Sequence, residues 1–355
     1  PDGPLPPPLS NDCFALPPGV NWTPVDEALA LLQERLTPVA QVETVAVQQA
    51  LGRVLAAPVT ALRSNPPRPN TAVDGYGFAG RREAGVHVLP LVAGRAAAGG
   101  DFDGAVPAGH AVRVLTGAAL PAGVDTVVLQ EDVTVDGDRI AFNGPVKAGA
   151  NSRRAGEDVA AGDEVLPQGR RLTPADLALL AAVGVGAVPV FAPLRVGVLS
   201  TGDELAEAGT DAGETQIYDA NRPMLLGLLA RLGHVAVDLG RVRDDRAALA
   251  AALDGAQVDA ILTSGGASAG DEDHVSALLR EVGALALWRI AVKPGRPLAL
   301  GMWKGTPVFG LPGNPVAAMV CTLVFAAPAL ALLAGSGWQE PQGFTVPAGF
   351  EKSKK

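Results

Sequence analysis

Cysteine is the first shortage. The chain has two in 355 residues, Cys13 and Cys321, far apart in sequence, the second in an apolar, helix-like run. That spacing argues against a disulfide framework and against a structural zinc site, and it fits a reducing cytoplasm as the expected location. Histidine is also scarce: His87, His110, His234 and His274 are scattered without metal-ligand spacing and read as surface or structural residues. Aromatic residues make up only 4% of the chain, so alanine, valine and leucine must fill the cores. Positive charge is in deficit, with 28 Lys and Arg against 37 Asp and Glu and a net charge of −9. A general nucleic-acid or anionic-membrane binder is disfavoured by this balance, and any phosphate site must be local. No basic region followed by an apolar core, as in a signal peptide, is visible near the N-terminus. One run, Val316 to Gly335, has no charged residue and reaches the length of a membrane span. Asn314-Pro315 ahead of it (an N-cap and a first-turn proline), the interruption at Pro328 and the abundance of alanine favour a buried or interface helix instead.

What is present suits a large, turn-rich, multidomain protein: 48% hydrophobic residues, 43 glycines and 30 prolines. Residues 1–19 are proline-rich and lack apolar periodicity, which predicts a disordered or draped arm. Thr23-Pro24 then looks like a helix start, with Val25, Leu29, Leu32 and Leu36 at helical spacing. Glu43 to Ala50 is weaker, helical or extended. Residues 58–148 read as short strands between turns, at Val86–Val92, Ala111–Leu115, Thr126–Leu129 and Arg139–Phe142. Asp136-Gly137 marks a hairpin. Leu172-Thr173-Pro174-Ala175-Asp176 opens a capped helix that stops at Gly184.

From Arg195 the pattern becomes α/β. Strands are expected at Val196–Ser200, Val235–Leu239, Val258–Leu262, Trp288–Val292, Leu298–Leu300 and Val308–Leu311. Helices are expected at Asn221–Leu232, Asp244–Leu253 and Val275–Val282. Such alternation implies a mostly parallel sheet covered on both faces, with ligands at the carboxyl ends of the strands. Four polar, glycine-bearing loops fall at strand ends: Thr201-Gly202-Asp203-Glu204, Thr263-Ser264-Gly265-Gly266, Lys293-Pro294-Gly295-Arg296-Pro297 and Leu311-Pro312-Gly313-Asn314-Pro315. The second continues through Ser268, Gly270 and Asp271-Glu272-Asp273. Its glycines and a helix start suit an oxyanion, whereas its carboxylates repel phosphate unless a divalent metal lies between. Read alone it is equally a plain βα turn with a capping aspartate. Arg153-Arg154 beside Glu157-Asp158 suits phosphate or carboxylate recognition, or else an exposed ion-pair cluster.

Taken together these residues resemble the molybdopterin molybdenumtransferase family, whose eukaryotic relatives include the gephyrin E domain. The motifs are Asn70-Thr71-Ala72-Val73-Asp74-Gly75-Tyr76, Leu115-Thr116-Gly117-Ala118 with Asp125–Val128, Arg153–Asp158, Ser200–Leu205, Ile217–Asn221, Thr263–Gly270, Lys293-Pro294-Gly295 and Gly310–Pro315. They run in one order from about residue 22 to 335. The resemblance implies a multidomain α+β and α/β fold. An elongated helical N-terminal domain (20–57 with 149–190) carries an inserted β-rich domain (58–148). The mostly parallel α/β molybdopterin-binding domain (191–335) follows, then a small C-terminal β domain that is largely absent, with only its start in 336–355.

It further implies insertion of molybdenum from molybdate into adenylylated molybdopterin, with release of AMP and dependence on Mg2+. Asp74, Thr116, Asp158, Glu204, Asp244 and Asp273 match catalytic positions, and Asp203, Glu204, Asp244 and Asp273 the metal set. Ligand contacts are implied for Arg153, Thr201, Gly202, Ser264, Gly265, Gly266, Ser268, Gly270, Lys293, Arg296, Pro312, Gly313 and Asn314. Arg289 stands where relatives often carry lysine, and its planar fork alters that role. A head-to-tail homodimer is implied, with the N-terminal residues reaching a cleft completed by the partner subunit, and with the adenylyltransferase that supplies the substrate as a further partner. No nucleic-acid or membrane partner is expected. The competing readings are that adenylyltransferase itself, which shares the SGGxSxG loop but not residues 22–190, and a non-catalytic pterin-binding scaffold.

Overall fold

In a computed structural model of the chain, the described residues are 22–265, 274–281, 285–292, 297–340, 343–347 and 349. The C-terminal half is built on a six-stranded sheet. In spatial order its strands are Val235–Val242, Arg195–Thr201, Ala260–Ser264, Thr306–Leu311, Pro297–Trp303 and Leu285–Arg289. The first four run parallel, and the last two are added antiparallel. The mostly parallel expectation thus holds for the centre but not for one edge. There Lys304 (φ 48°) and Gly305 (φ 92°) turn the chain straight back as a hairpin. Two successive residues at positive φ give the turn the twist that tight hairpins need.

Alternation along the strands separates two cores. Val196, Val198, Leu262, Phe309 and Leu311 face one side, where they meet Leu225 and Leu229 and the long apolar helix through Ala318, Phe325 and Leu330. Leu199, Ile261 and Val308 face the other, against Leu249, Leu253, Val275 and Leu279. A period of two with apolar residues on both faces is what a doubly covered sheet requires. The helix Val25–Arg35 also packs here, placing Ala28 and Leu32 in the first core. Thr23 does not cap it. Its side chain makes no cap bond; instead its carbonyl accepts from the N–H of Ala291, and it bridges to Ile290.

The uncharged run is continuous helix from Pro315 to Leu333, long and apolar enough to span a membrane, yet 61% buried within the fold. It changes to π geometry at Thr322–Ala326. Pro328 has no N–H for the carbonyl four residues back, so the preceding turn widens and Ala327 donates to Thr322. Cys321 is buried in this helix, and desolvation pushes its thiol up to about 12, which makes it inert as a nucleophile.

The N-terminal half is less helical than expected. Val42–Ala46 is a strand followed by a 3₁₀ turn, and with Ala187–Phe191 and Val54–Leu55 it forms a three-stranded sheet. Valine and threonine on pairing edges decided a segment whose helical periodicity was weak. The helix there is Pro174–Ala182, closed by a full capping box between Thr173 and Asp176. Residues 75–146 form a second six-stranded sheet, with the hairpin at Asp136-Gly137 as expected and a strand running from Arg82 to Ala96.

Candidate active site

The topology puts four loops on one edge. Strands Arg195–Thr201, Ala260–Ser264 and Thr306–Leu311 all end there, because Ser200 pairs with Ser264 and Ser264 with Leu311. The antiparallel edge contributes as well. Leu285–Arg289 ends and Pro297–Trp303 begins at the same side, since Arg289 pairs with Pro297.

Close approach defines this edge. Gly265 has φ +91°, and a Cβ there would lie 2.7 Å from the Thr201 carbonyl oxygen. Only glycine lets the two loops touch. Gly202 has φ +142°, and the Glu204 carboxylate packs where its Cβ would stand. Asn221, at the start of the helix Asn221–Arg231, ties the loops together by donating from Nδ2 to Ser264 Oγ (2.6 Å) and to the Gly313 carbonyl (2.8 Å). Asn314 caps the long helix by accepting from the Ala317 N–H, so its side-chain oxygen is already engaged. Buried Arg222 holds Asp219 and Asp238, with Glu207 as a third partner, and so anchors the segment after Glu204.

Around these loops lie buried polar atoms with no hydrogen-bond partner among the described residues: Ser200 Oγ, Thr201 Oγ1, Thr263 Oγ1 and Asn221 Oδ1. Leaving a buried donor or acceptor unmatched costs about 1–3 kcal/mol each. Four such atoms lie together at adjoining strand and helix ends. Beside them Asp203 and Asp244 face one another, each backbone N–H 3.4 Å from the other's carboxylate, with Arg243 Nε 3.4 Å from Asp203. Glu204 does not join them, and no group of three metal-ligand side chains occurs among the described residues. Of the four carboxylates expected to form the metal set, Asp203 and Asp244 adjoin one another, and Asp273 lies outside the described residues. Gly266, Ser268, Gly270, Asp273, Lys293 and Arg296 lie outside them, as does the side chain of Arg289.

The N-terminal residues gather separately, around the two-residue strand Asn70–Thr71. Ser152–Arg153 pairs with that strand, and the Gly117 N–H donates to the Thr71 carbonyl. Asp74 Oδ1 accepts from the backbone N–H of Thr116 (2.6 Å) and from its hydroxyl (2.7 Å). Those two bonds, the backbone one foremost, hold the Asp74 carboxyl below its ordinary range. Arg153 donates to Asp158 and Glu157, and the bond to Asp158 chiefly raises its affinity for its proton. Arg153 is therefore the centre of an ion-pair cluster rather than a bare cation. Among the described residues no hydrogen bond or ion pair joins this group to the strand-end loops.

Comparison with known proteins follows the same division. Residues 23–184 match the family model "MoeA N-terminal region (domain I and II)", and residues 197–332 match "Probable molybdopterin binding domain". The chain is 41% identical over 329 residues to the molybdopterin molybdenumtransferase of Haemophilus influenzae, covering 91% of this chain and 81% of that one. The chain belongs to the molybdopterin molybdenumtransferase family. Another family member, molybdopterin molybdenumtransferase 2 of Mycobacterium tuberculosis, is 37% identical over 305 residues, with 82% and 75% covered. A crystal structure of the molybdopterin biosynthesis moeA protein of Pyrococcus horikoshii superposes with a TM-score of 0.77 at 32% identity, covering 89% and 80%.

Within the molybdenumtransferase pattern, sequence reasoning gave no role to Asn221, Ser200 or Thr263. A signal was there: a hydroxyl closing an otherwise apolar strand, and an asparagine opening a helix directly after Asp219-Ala220.

Proposed function

We propose that this protein inserts molybdenum from molybdate into adenylylated molybdopterin, releasing AMP. The observation that carries the proposal is a 41% match running through both halves of the chain to an enzyme named for this transfer. An adenylyltransferase reading would leave the match of residues 23–184 without purpose. The proposal includes a cytoplasmic homodimer, the adenylyltransferase as substrate donor, and the division 20–57 with 149–190, 58–148, 191–335 and 336–355.

The strand-end loops would bind the pterin nucleotide. Gly265 and Gly202 allow its phosphates to approach the backbone, while Ser200, Thr201, Thr263 and Asn221 supply hydrogen bonds that the fold leaves unused. Asp203 and Asp244 are adjoining, exposed carboxylates, a hard-oxygen donor pair of the kind Mg2+ takes, and they would hold that ion. Magnesium would supply neutralisation of charge developing on the phosphoanhydride as it is cleaved. Asp74, fixed as an anion by Thr116, and Arg153, oriented by Asp158 and Glu157, would close the cleft from the partner subunit. Asp74 there accepts hydrogen bonds, and Arg153 can exchange a carboxylate for a ligand oxyanion.

The purified chain incubated with adenylylated molybdopterin, magnesium and molybdate should release AMP and yield active cofactor. Pterin binding without either product rejects the assignment. Mixed dimers of Arg153→Ala and Asp203→Asn chains should regain part of the activity that each variant lacks alone, and no recovery counts against a shared cleft.

A further inference from the structure

A cavity of about 290 Å³ lies at the opposite edge of the α/β sheet from the strand-end loops. Its position follows from the helix Asn221–Arg231. Asn221 sits at the proposed pterin site, whereas Arg231 lines this cavity, 10 residues further on. That spacing along a helix is roughly 15 Å. Arg171, which precedes the helix Pro174–Ala182 of the N-terminal half, converges on the same space. Its Nη1 donates to the Gly52 carbonyl at 2.9 Å and would stand 3.0 Å from a Cβ on Gly233. Glycine at 233 therefore does two things: it closes the helix at φ +89° and leaves room for the guanidinium.

Neither Arg171 nor Arg231 has a carboxylate partner among the described residues, although Glu340, exposed, also lines the cavity. His234 also lines the cavity and is 9% exposed. Burial, and then the charge of Arg171, push it down to about 4, so it is a neutral donor or acceptor at physiological pH. The facing wall is the long helix where it widens: Leu323, Pro328 and Ala331 are apolar and line the cavity.

We propose that this cavity is a second binding site, for a small organic anion with one phosphate or carboxylate head on an apolar body. Two guanidiniums from separate segments, neither ion-paired among the described residues, suit a forked oxyanion that outcompetes the exposed Glu340 carboxylate. The widened helix gives the body a dry face, and His234 gives the head a neutral hydrogen bond. Arg231 also complements the negative end of its own helix, a role that Arg171, from another segment, does not share.

The test is calorimetric titration of the full chain with phenyl phosphate, benzoate and inorganic phosphate, repeated on Arg231→Gln and Arg171→Gln. Arg231 is exposed, so its variant should fold, and thermal melts verify both. Phenyl phosphate or benzoate should bind saturably, more tightly than inorganic phosphate, and each substitution should weaken binding about tenfold. Which of the two binds better identifies the head group. Absence of saturable binding for both, or binding that either folded variant changes by less than about threefold, overturns the proposal.

Discussion

The two groups of site residues solve opposite problems. Around Asn70–Thr71 two site charges are matched within the chain: Asp74 by Thr116, and Arg153 by Asp158 and Glu157. At the strand ends of the α/β sheet the loops are pressed together by glycine and Asn221, yet four buried polar atoms have no partner among the described residues. The first group is pre-ordered and partly exposed. The second holds buried polar side-chain atoms that are unsatisfied among the described residues, which the proposed ligand would satisfy. A site assembled from both would take its rigidity from one half and its affinity from the other.

The comparison is tested most severely at Gly265. Replacing it with alanine forces a side chain into φ +91° and against the Thr201 carbonyl. A loss of about 3 kcal/mol in urea unfolding is expected, together with loss of AMP release. An unchanged midpoint would show that the loops need not touch. Next comes the double variant Asp203→Asn, Asp244→Asn. AMP release should fall about a hundredfold or more while the melting temperature stays put. Activity near wild type would reject this pair as the proposed magnesium site.

Thr263→Val separates a ligand-directed atom from a folding defect. It removes an unpaired buried hydroxyl, so stability should hold or rise by about 1 kcal/mol while pterin-dependent turnover drops about tenfold. A stability loss without a kinetic effect would make Thr263 an ordinary core residue. The smallest effect concerns Asp74. The Thr116 bonds hold its carboxyl below its ordinary value in the fold, so on acidification the unfolded chain takes up this proton first. The stabilisation is complete above the unfolded value and disappears as pH falls through the folded one. Asp74→Asn should therefore flatten the acid limb of the stability curve, and an unchanged limb would mean that the Thr116 bonds do not persist in solution.

Much of this was legible locally. The parallel strands, the left-handed glycine after the 221–231 helix, the Thr173 capping box and the Asp136-Gly137 hairpin each have a short-range signature, and each is present. The misses are non-local. Thr23 has good capping chemistry but is taken by Ile290. Val42–Ala46 became a strand because Ala187–Phe191 pairs with it. Arg153 reads equally as a phosphate ligand or an ion-pair member until Asp158 is seen turned back on it. The unpaired hydroxyls are least visible of all, since a serine or threonine at a strand end says nothing of whether its partner is protein or ligand.

The helix Val25–Arg35 bears on how the chain is made. Its buried face, Ala28 and Leu32, rests on residues from Leu194 to Ala334. During synthesis it emerges roughly 160 residues before the first of them, which at about 5–20 residues per second leaves it waiting on the order of ten seconds or more. The α/β core closes around Val25–Arg35 only when the helix Pro315–Leu333 has been delivered. Truncation before Pro315 should thus leave the apolar face of Val25–Arg35 uncovered and yield a product handed to chaperones rather than a smaller folded domain.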